Sequence, residues 1–209
     1  MEISVLQLGP ISTNCYIFRE LGKPHCGVID PGGQGRQLAA WLKERGLQPE
    51  AVLLTHGHFD HIMGIPALRD EWLELPVYCH PADFGEGDTV DMFGRHYPTV
   101  RSFGHITPYR EGDVVEVAGF ELEVLETPGH TPGSVTLRSG ENLFTGDTLF
   151  AGSMGRTDFE GGSEEQMNES LRRLYRLEGD YVVLPGHEGQ STLDRERRSN
   201  QFMRAAVRL

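Results

Sequence analysis

The 209-residue chain contains three cysteines, Cys15, Cys26 and Cys79, widely spaced and without a CxxC pair. That scarcity excludes a disulfide-stapled framework and a thiolate zinc site. It leaves the three thiols to be read as small buried hydrophobes. Long apolar runs are also missing: no stretch approaches the roughly 18–20 residues that a membrane-spanning helix needs. The start, MEISVLQLGPISTN, has neither a basic segment nor a long apolar core. No export signal is therefore expected, and the cytoplasm is the expected compartment. Positive charge is short, with 19 Lys and Arg against 31 Asp and Glu and a formal net charge of −12. Nucleic acid and membrane are accordingly not expected as partners. No low-complexity segment, long linker or tandem repeat interrupts the chain, so residues 1–209 read as one domain with room for a sizeable core.

What is present is a mixed pattern of strands and helices. Residues 2–8, 14–19 and 25–29 are short, apolar-biased and separated by turn residues, so they read as strands. The segment 34–46 carries Leu38, Trp41 and Leu42 at helical spacing and ends at Gly46, a suitable C-cap. A strand over 51–55, a helix over 61–73 and a strand over 77–80 follow. The segment 94–110 is polar, aromatic and locally basic, and reads as an irregular loop or a lid. Beyond it lie strands over 114–117, 120–127, 134–139 and 142–147, a helix over 164–177, a strand over 181–187 and a final helix over 192–207. FELEVLE (120–126) alternates as a half-buried strand does. The order predicts the mixed α/β (α+β) class. Two sheets packed face to face with helices outside, a four-layer αβ/βα sandwich, would bury every apolar face.

Against that background LLTHGHFDHIMG (53–64) stands out, with His56, His58, Asp60 and His61 inside six positions. A chance HxHxDH is expected in roughly one such chain in a thousand. Three other loops follow apolar strands in the same way: ETPGHTPGS supplies His130, LFTGDTLF supplies Asp147 and VLPGHEG supplies His187. Extended residues two apart point to one side, so His56 and His58 can approach one cation together with His130. Asp60 and His61, at a helix entry, can turn to a second cation with His187. Asp147 then bridges the two. Imidazole and carboxylate without thiolate lead to zinc, with iron or manganese as alternatives. His25, His80, His96 and His105 are isolated and read as surface or satisfied core residues.

These motifs together resemble the metallo-β-lactamase superfamily over essentially the whole chain. STNCY (12–16), GRTDF (155–159) and GHEGQSTLDRERRSN (186–200) are similar to the short bacterial form of glyoxalase II, a hydroxyacylglutathione hydrolase. The resemblance implies that superfamily's fold, two divalent cations, and a supporting role for Asp30 of VIDPGG behind the ligands. It implies hydrolysis of a small-molecule thioester, with S-lactoylglutathione leading, by a hydroxide held between the cations and oriented by Asp60. β-Lactamases of the superfamily usually carry cysteine where Asp147 stands and lack the equivalent of His61. The longer glyoxalase II enzymes continue past the last metal histidine into a helical domain that binds glutathione, whereas residues 188–209 alone follow His187. The departure bears on which thiol is recognised. Alternatives are a mononuclear-iron persulfide dioxygenase, held by the equivalents of His56 or His58, His130 and Asp147, and a metallohydrolase of phosphodiesters. Arg95, Arg101 and Arg156 are candidates to receive an anionic substrate, and Arg156 is also read as a structural ion pair with Asp158.

Overall fold

The computed structural model describes residues 1–92 and 94–208. The chain runs through β1 (Glu2–Leu8), β2 (Thr13–Arg19), β3 (His25–Ile29), α1 (Gly35–Glu44), β4 (Gln48–Leu53), α2 (Phe59–Ile62), α3 (Ile65–Glu71) and β5 (Val77–Cys79). Then come β6 (Thr89–Met92), β7 (Arg95–Pro98), β8 (Thr107–Pro108), β9 (Val114–Val117), β10 (Phe120–Glu126), β11 (Val135–Ser139) and β12 (Asn142–Gly146). It closes with β13 (Leu149–Phe150), β14 (Ser153–Met154), α4 (Glu164–Tyr175), β15 (Val182–Pro185), β16 (Ser191–Thr192), α5 (Leu193–Ser199) and α6 (Gln201–Ala206). Among the described residues two six-stranded sheets form, in the orders β1-β2-β3-β4-β5-β8 and β16-β15-β12-β11-β10-β9.

The period of two along each strand builds the layers. On β2, Tyr16 and Phe18 face the second sheet while Cys15 and Ile17 face α1 and α3. On β4, Ala51 and Leu53 face inward while Val52, and Leu54 just past the strand, face those helices. The second sheet repeats the division: Phe144 and Leu184 meet the first sheet, whereas Leu143 and Val183 pack under α4, α5 and α6. Three apolar clusters thus glue four layers, helices–sheet–sheet–helices, as the sequence pattern implied. Strands buried on both faces explain why β2 and β12 read as continuous apolar runs.

Three elements differ from the sequence reading. The helix expected over 61–73 is two helices, α2 and α3, because Pro66 has no N–H to offer Ile62 and the ladder stops there. The helix expected over 192–207 breaks at Asn200. This residue leaves helical geometry and caps α6, accepting bonds from the Phe202 and Met203 amides. Finally, 94–110 is not wholly irregular: β6 and β7 form an antiparallel hairpin reaching into it, a short helical turn spans Val100–Phe103, and β8 joins the first sheet. The three cysteines are free and buried. Among the described residues no helix is long and apolar enough to cross a membrane.

At one rim the two sheets are tied backbone to backbone. The Val135 amide donates to the Thr55 carbonyl at 2.8 Å, and the Asn14 amide donates to the Gly186 carbonyl at 2.7 Å. The Tyr16 hydroxyl adds a bond to the Pro185 carbonyl at 2.7 Å.

Phe144 is fully buried between the sheets, edge-on to Tyr16 with ring centroids 5.4 Å apart. Phe144→Ala should lower unfolding stability by about 3–5 kcal/mol. Val114→Ala, at a side chain 56% exposed on an edge strand, should leave it nearly unchanged. Urea denaturation of the two variants checks both.

Candidate metal centre

The tied rim is where the strand-end loops meet. His56 follows β4, His58 is the extended N-cap of α2, and Asp60 and His61 lie in its single turn. His130 follows β10, Asp147 directly follows β12 and His187 follows β15. The helix therefore begins at Phe59, two residues earlier than read, and that early start turns Asp60 and His61 away from His58.

Three groups of donor atoms come together, each group with its atoms within 4.8 Å of one another: His56, His58 and His130; Asp60, His61 and His187; and His56, His61 and Asp147. His58 Nδ1 faces His130 Nε2 at 2.8 Å. Asp60 Oδ2 lies 3.3 Å from His61 Nε2 and 3.2 Å from His187 Nε2. Asp147 spans the groups, with Oδ2 3.4 Å from His130 Nε2 and 3.5 Å from His187 Nε2, and Oδ1 3.5 Å from His61 Nε2. All seven side chains named from the sequence thus share one rim, with Asp147 between the two trios.

The rings are oriented from behind. His130 Nδ1 bonds the Arg156 carbonyl at 2.7 Å, and His61 Nδ1 bonds Asp30 Oδ2 at 2.9 Å. Each ring then presents Nε2 to the centre, as a carboxylate or carbonyl behind a ligand histidine arranges. Asp30 is 1% exposed and holds a positive φ of 51°. It also accepts from the Thr55 amide and hydroxyl, at 2.8 and 2.6 Å. Two residues of STNCY brace the site as well. The Thr13 hydroxyl donates to Asp60 Oδ2 at 2.9 Å, and the Asn14 amide group donates to the carbonyls of Pro185 and Glu188 at 3.0 and 2.9 Å. Sequence reasoning gave these two no role; their motif was visible, but their partners are far along the chain. Gly186 leaves the space needed here, because a methyl group on it would collide with Asp147 and His61.

The donor set tests well against a cation. Among the described residues His56 Nε2, His61 Nε2 and Asp147 Oδ1 are buried without a hydrogen-bond partner. Each such atom costs about 1–3 kcal/mol if it stays unmatched. All three point into the centre, where lone pairs suit positive charge. Burial, then neighbouring imidazoles, drives His56 well below its ordinary pKa and takes His58 down to about 3, so both are neutral donors. At His61 burial opposes protonation, but Asp60, Asp30 and Asp147 together outweigh it and raise the pKa. At His187 burial is likewise outweighed, by Asp60 and Asp147. Asp60 is disfavoured as an anion by burial, yet His61 and His187 hold it well below the carboxylate range.

A cavity of about 630 Å³ opens onto this centre, walled by Ile11, Phe59, Tyr97, Phe150, Met154 and Phe159. The β6–β7 hairpin supplies Met92, Arg95 and Tyr97, and Tyr97 stacks on Phe59 with centroids 3.9 Å apart. Arg156 also lines the cavity, but Asp158 grips it with two bonds of 2.7 Å and it sits over the Phe159 ring. Arg101 is not part of that lining; its Nε donates to the Gly85 carbonyl at 3.1 Å. His25, His96 and His105 are exposed, and His80 is buried against Glu126 at 3.0 Å.

A family model described as Metallo-beta-lactamase superfamily matches residues 8–187. "Probable metallo-hydrolase YqgX" of Bacillus subtilis (strain 168) is 36% identical, with 95% of each chain covered. "Hydroxyacylglutathione hydrolase GloC" of Haemophilus influenzae is 33% identical, covering 97% of this chain and 98% of the relative. Among solved structures, BLEG-1 B3 metallo-beta-lactamase superposes with a TM-score of 0.85 at 32% identity, covering 97% of this chain and 99% of that one. TTHA1623 in a di-iron-bound form gives 0.78 at 36% identity, with coverage of 95% and 99%.

Protons at His61 and His187 compete with a cation for Nε2. Loading the metal-stripped protein at neutral pH should release at least one proton per chain, and affinity should fall as the solution is acidified. Calorimetric titration in buffers of different ionisation enthalpy reads the proton count.

Proposed function

The chain belongs to the metallo-β-lactamase superfamily, and from that premise we propose that it is a cytoplasmic metal-dependent thioester hydrolase acting on S-lactoylglutathione or the thioester of a related anionic thiol. The observation that carries the reading is the pair of donor trios sharing Asp147 at the floor of an aromatic cavity. The likeness to GloC over nearly the whole of both chains supports the thioester.

His56, His58 and His130 would hold one divalent cation and Asp60, His61 and His187 the other, with Asp147 between them; zinc leads, and iron or manganese fit the same donors. Such a pair supplies a lowered pKa for water, from about 15.7 towards about 7, and polarisation of the carbonyl. The remaining work belongs to the chain. Thr13 donates to Asp60 Oδ2, the oxygen that also faces His61 and His187, and so fixes the carboxylate that can accept a hydrogen bond from the attacking water and orient it. The aromatic wall of Phe59, Tyr97, Phe150 and Phe159 keeps bulk water from the acyl carbon and flanks the thiol arm. A thiolate leaves readily, so no dedicated acid is required. Arg95 lines the cavity on the hairpin and has no ion-pair partner among the described residues, whereas Arg156 is neutralised by Asp158. Arg95 is therefore the cation available to a substrate carboxylate, and it answers how a chain of net charge −12 admits an anion.

A second reading, β-lactam hydrolysis, is favoured by the likeness to BLEG-1. A panel containing S-lactoylglutathione, an uncharged thioester, a phosphodiester and a β-lactam, run with metal analysis, separates the readings. Thioester turnover should dominate, disappear on chelation and return with zinc, iron or manganese. Dominant β-lactam or phosphodiester turnover sinks the proposal.

Asp60→Asn should lower kcat on the thioester by about 10²–10⁴-fold. Arg95→Gln should raise KM for S-lactoylglutathione about tenfold, as loss of one charge-assisted bond does, with kcat and the uncharged thioester unaffected. An unchanged KM rejects the role of Arg95.

A further inference from the structure

Asp83 is a largely buried carboxylate that the chemistry above does not use. It ends a short helical turn, Pro81–Asp83, after β5. Its Oδ2 accepts from the Gly57 amide at 2.9 Å and from the Thr131 hydroxyl at 2.6 Å, and its Oδ1 accepts from the Gly133 amide at 2.7 Å. Gly57 stands between His56 and His58, and Thr131 directly follows His130. One side chain therefore clasps the two loops that supply the His56–His58–His130 trio. Thr131 is itself fixed, its amide and hydroxyl both bonded to the Ser134 hydroxyl at 3.1 and 2.7 Å. The fit is close on both sides. A methyl on Gly57 would collide with the Asp83 backbone, and one on Gly133 with its carboxylate. Burial pushes the Asp83 carboxyl up, and the three donors work against that shift.

The other trio has a brace at His61. Asp30 accepts from the Thr55 amide and hydroxyl and orients His61. No hydrogen bond or ion pair between Asp30 and Asp83 occurs among the described residues. Both clasps reach the loop after β4, Asp30 at Thr55, whose hydroxyl lies 3.2 Å from His56 Nδ1, and Asp83 at Gly57; they differ in their second anchor, the His61 ring for Asp30 and the loop after His130 for Asp83.

We propose that Asp83 is a positioning residue dedicated to one half of the centre: it sets the spacing of His56, His58 and His130, and so governs affinity for the cation that they would hold far more than for the other. The inference rests on the dinuclear reading given above. Asp83→Asn keeps the volume but turns an NH₂ group towards at least one donor, so the clasp opens without an empty space. Asp83→Ala removes it altogether, and Thr131→Val removes one of its three bonds.

The test is a titration of the full-length, metal-stripped protein with zinc against a chromophoric chelator, which resolves stepwise dissociation constants without reference to turnover. The wild-type chain should bind two zinc ions. In Asp83→Asn one dissociation constant should rise about tenfold, the scale on which residues behind metal ligands act, while the other stays within about twofold. Thr131→Val should raise the same constant about fivefold, the scale of one neutral hydrogen bond. Two constants that rise together, or that both stay unchanged in Asp83→Asn, overturn the dedicated role. If Asp83→Ala does not fold, Asp83→Asn and Thr131→Val still decide. A wild-type chain that binds a single zinc ion defeats the dinuclear reading itself, a result distinct from failure of the Asp83 clasp.

Discussion

The rim is governed by one electrostatic constraint: lone pairs and negative oxygens from distant parts of the chain are made to face one another under burial. His56 Nε2, His61 Nε2 and Asp147 Oδ1 have no hydrogen-bond partner among the described residues. Left alone, such a cluster would drive the loops apart or draw in water. The sandwich opposes this with bonds that cross from sheet to sheet at the same edge, Val135 to Thr55 and Asn14 to Gly186. Ligand geometry is consequently a property of both sheets together. Apolar burial between them, centred on Tyr16, Phe18 and Phe144, supplies the free energy that holds mutually unfavourable groups in place.

Legibility in the sequence followed the range of the interaction. The double-sided strands were readable because CYIF (15–18) and LF (143–144) are unbroken apolar runs, and FELEVLE because its alternation is local. The ligands were readable because HGHFDH compresses four of them into six positions and the other three each end an apolar strand. The β6–β7 hairpin was not: TVDM and RHYP are four residues each and half-exposed, and the ring that Tyr97 stacks on, Phe59, lies far back along the chain. The breaks at Pro66 and Asn200 are written in residue types that a helical stripe of leucines overrides in a one-dimensional reading. Beyond capping α6, the Asn200 side chain reaches the carbonyls of Phe150 and Ser153 at 3.4 and 2.8 Å, partners far along the chain. Thr13, Asn14 and Asp83 were silent for the same reason, since each acts on a loop far along the chain.

Charge is resolved locally in the same manner. The net charge of −12 says little about the cavity, whose Asp60 and Asp147 are engaged with imidazoles and whose two arginines differ in availability. Arg156 and Asp158 form a nearly self-contained unit on the Phe159 ring, and that unit does two other things. It shapes the cavity wall, and the Arg156 backbone carbonyl fixes His130. A side chain with a substrate-like charge can thus serve the centre mainly through its main chain. The residue in GRTDF that a motif reading singles out is therefore less available to an anion than Arg95, which belongs to no motif named from the sequence.

The closing motif, GHEGQSTLDRERRSN, extends this logic to the far side of the second sheet. Glu196 is fully buried and accepts from the Gly152 amide at 2.7 Å, from the Asn200 amide group at 2.9 Å and from the Ser191 hydroxyl. Those bonds tie α5 to the β13–β14 turn, whose Phe150, Ser153 and Met154 form one side of the cavity. His187 opens the same motif. A single stretch of sequence therefore carries a ligand at its start and, one layer away, the anchor for the wall beside that ligand. Such a stretch cannot drift in the part that looks merely structural without moving the part that touches the centre.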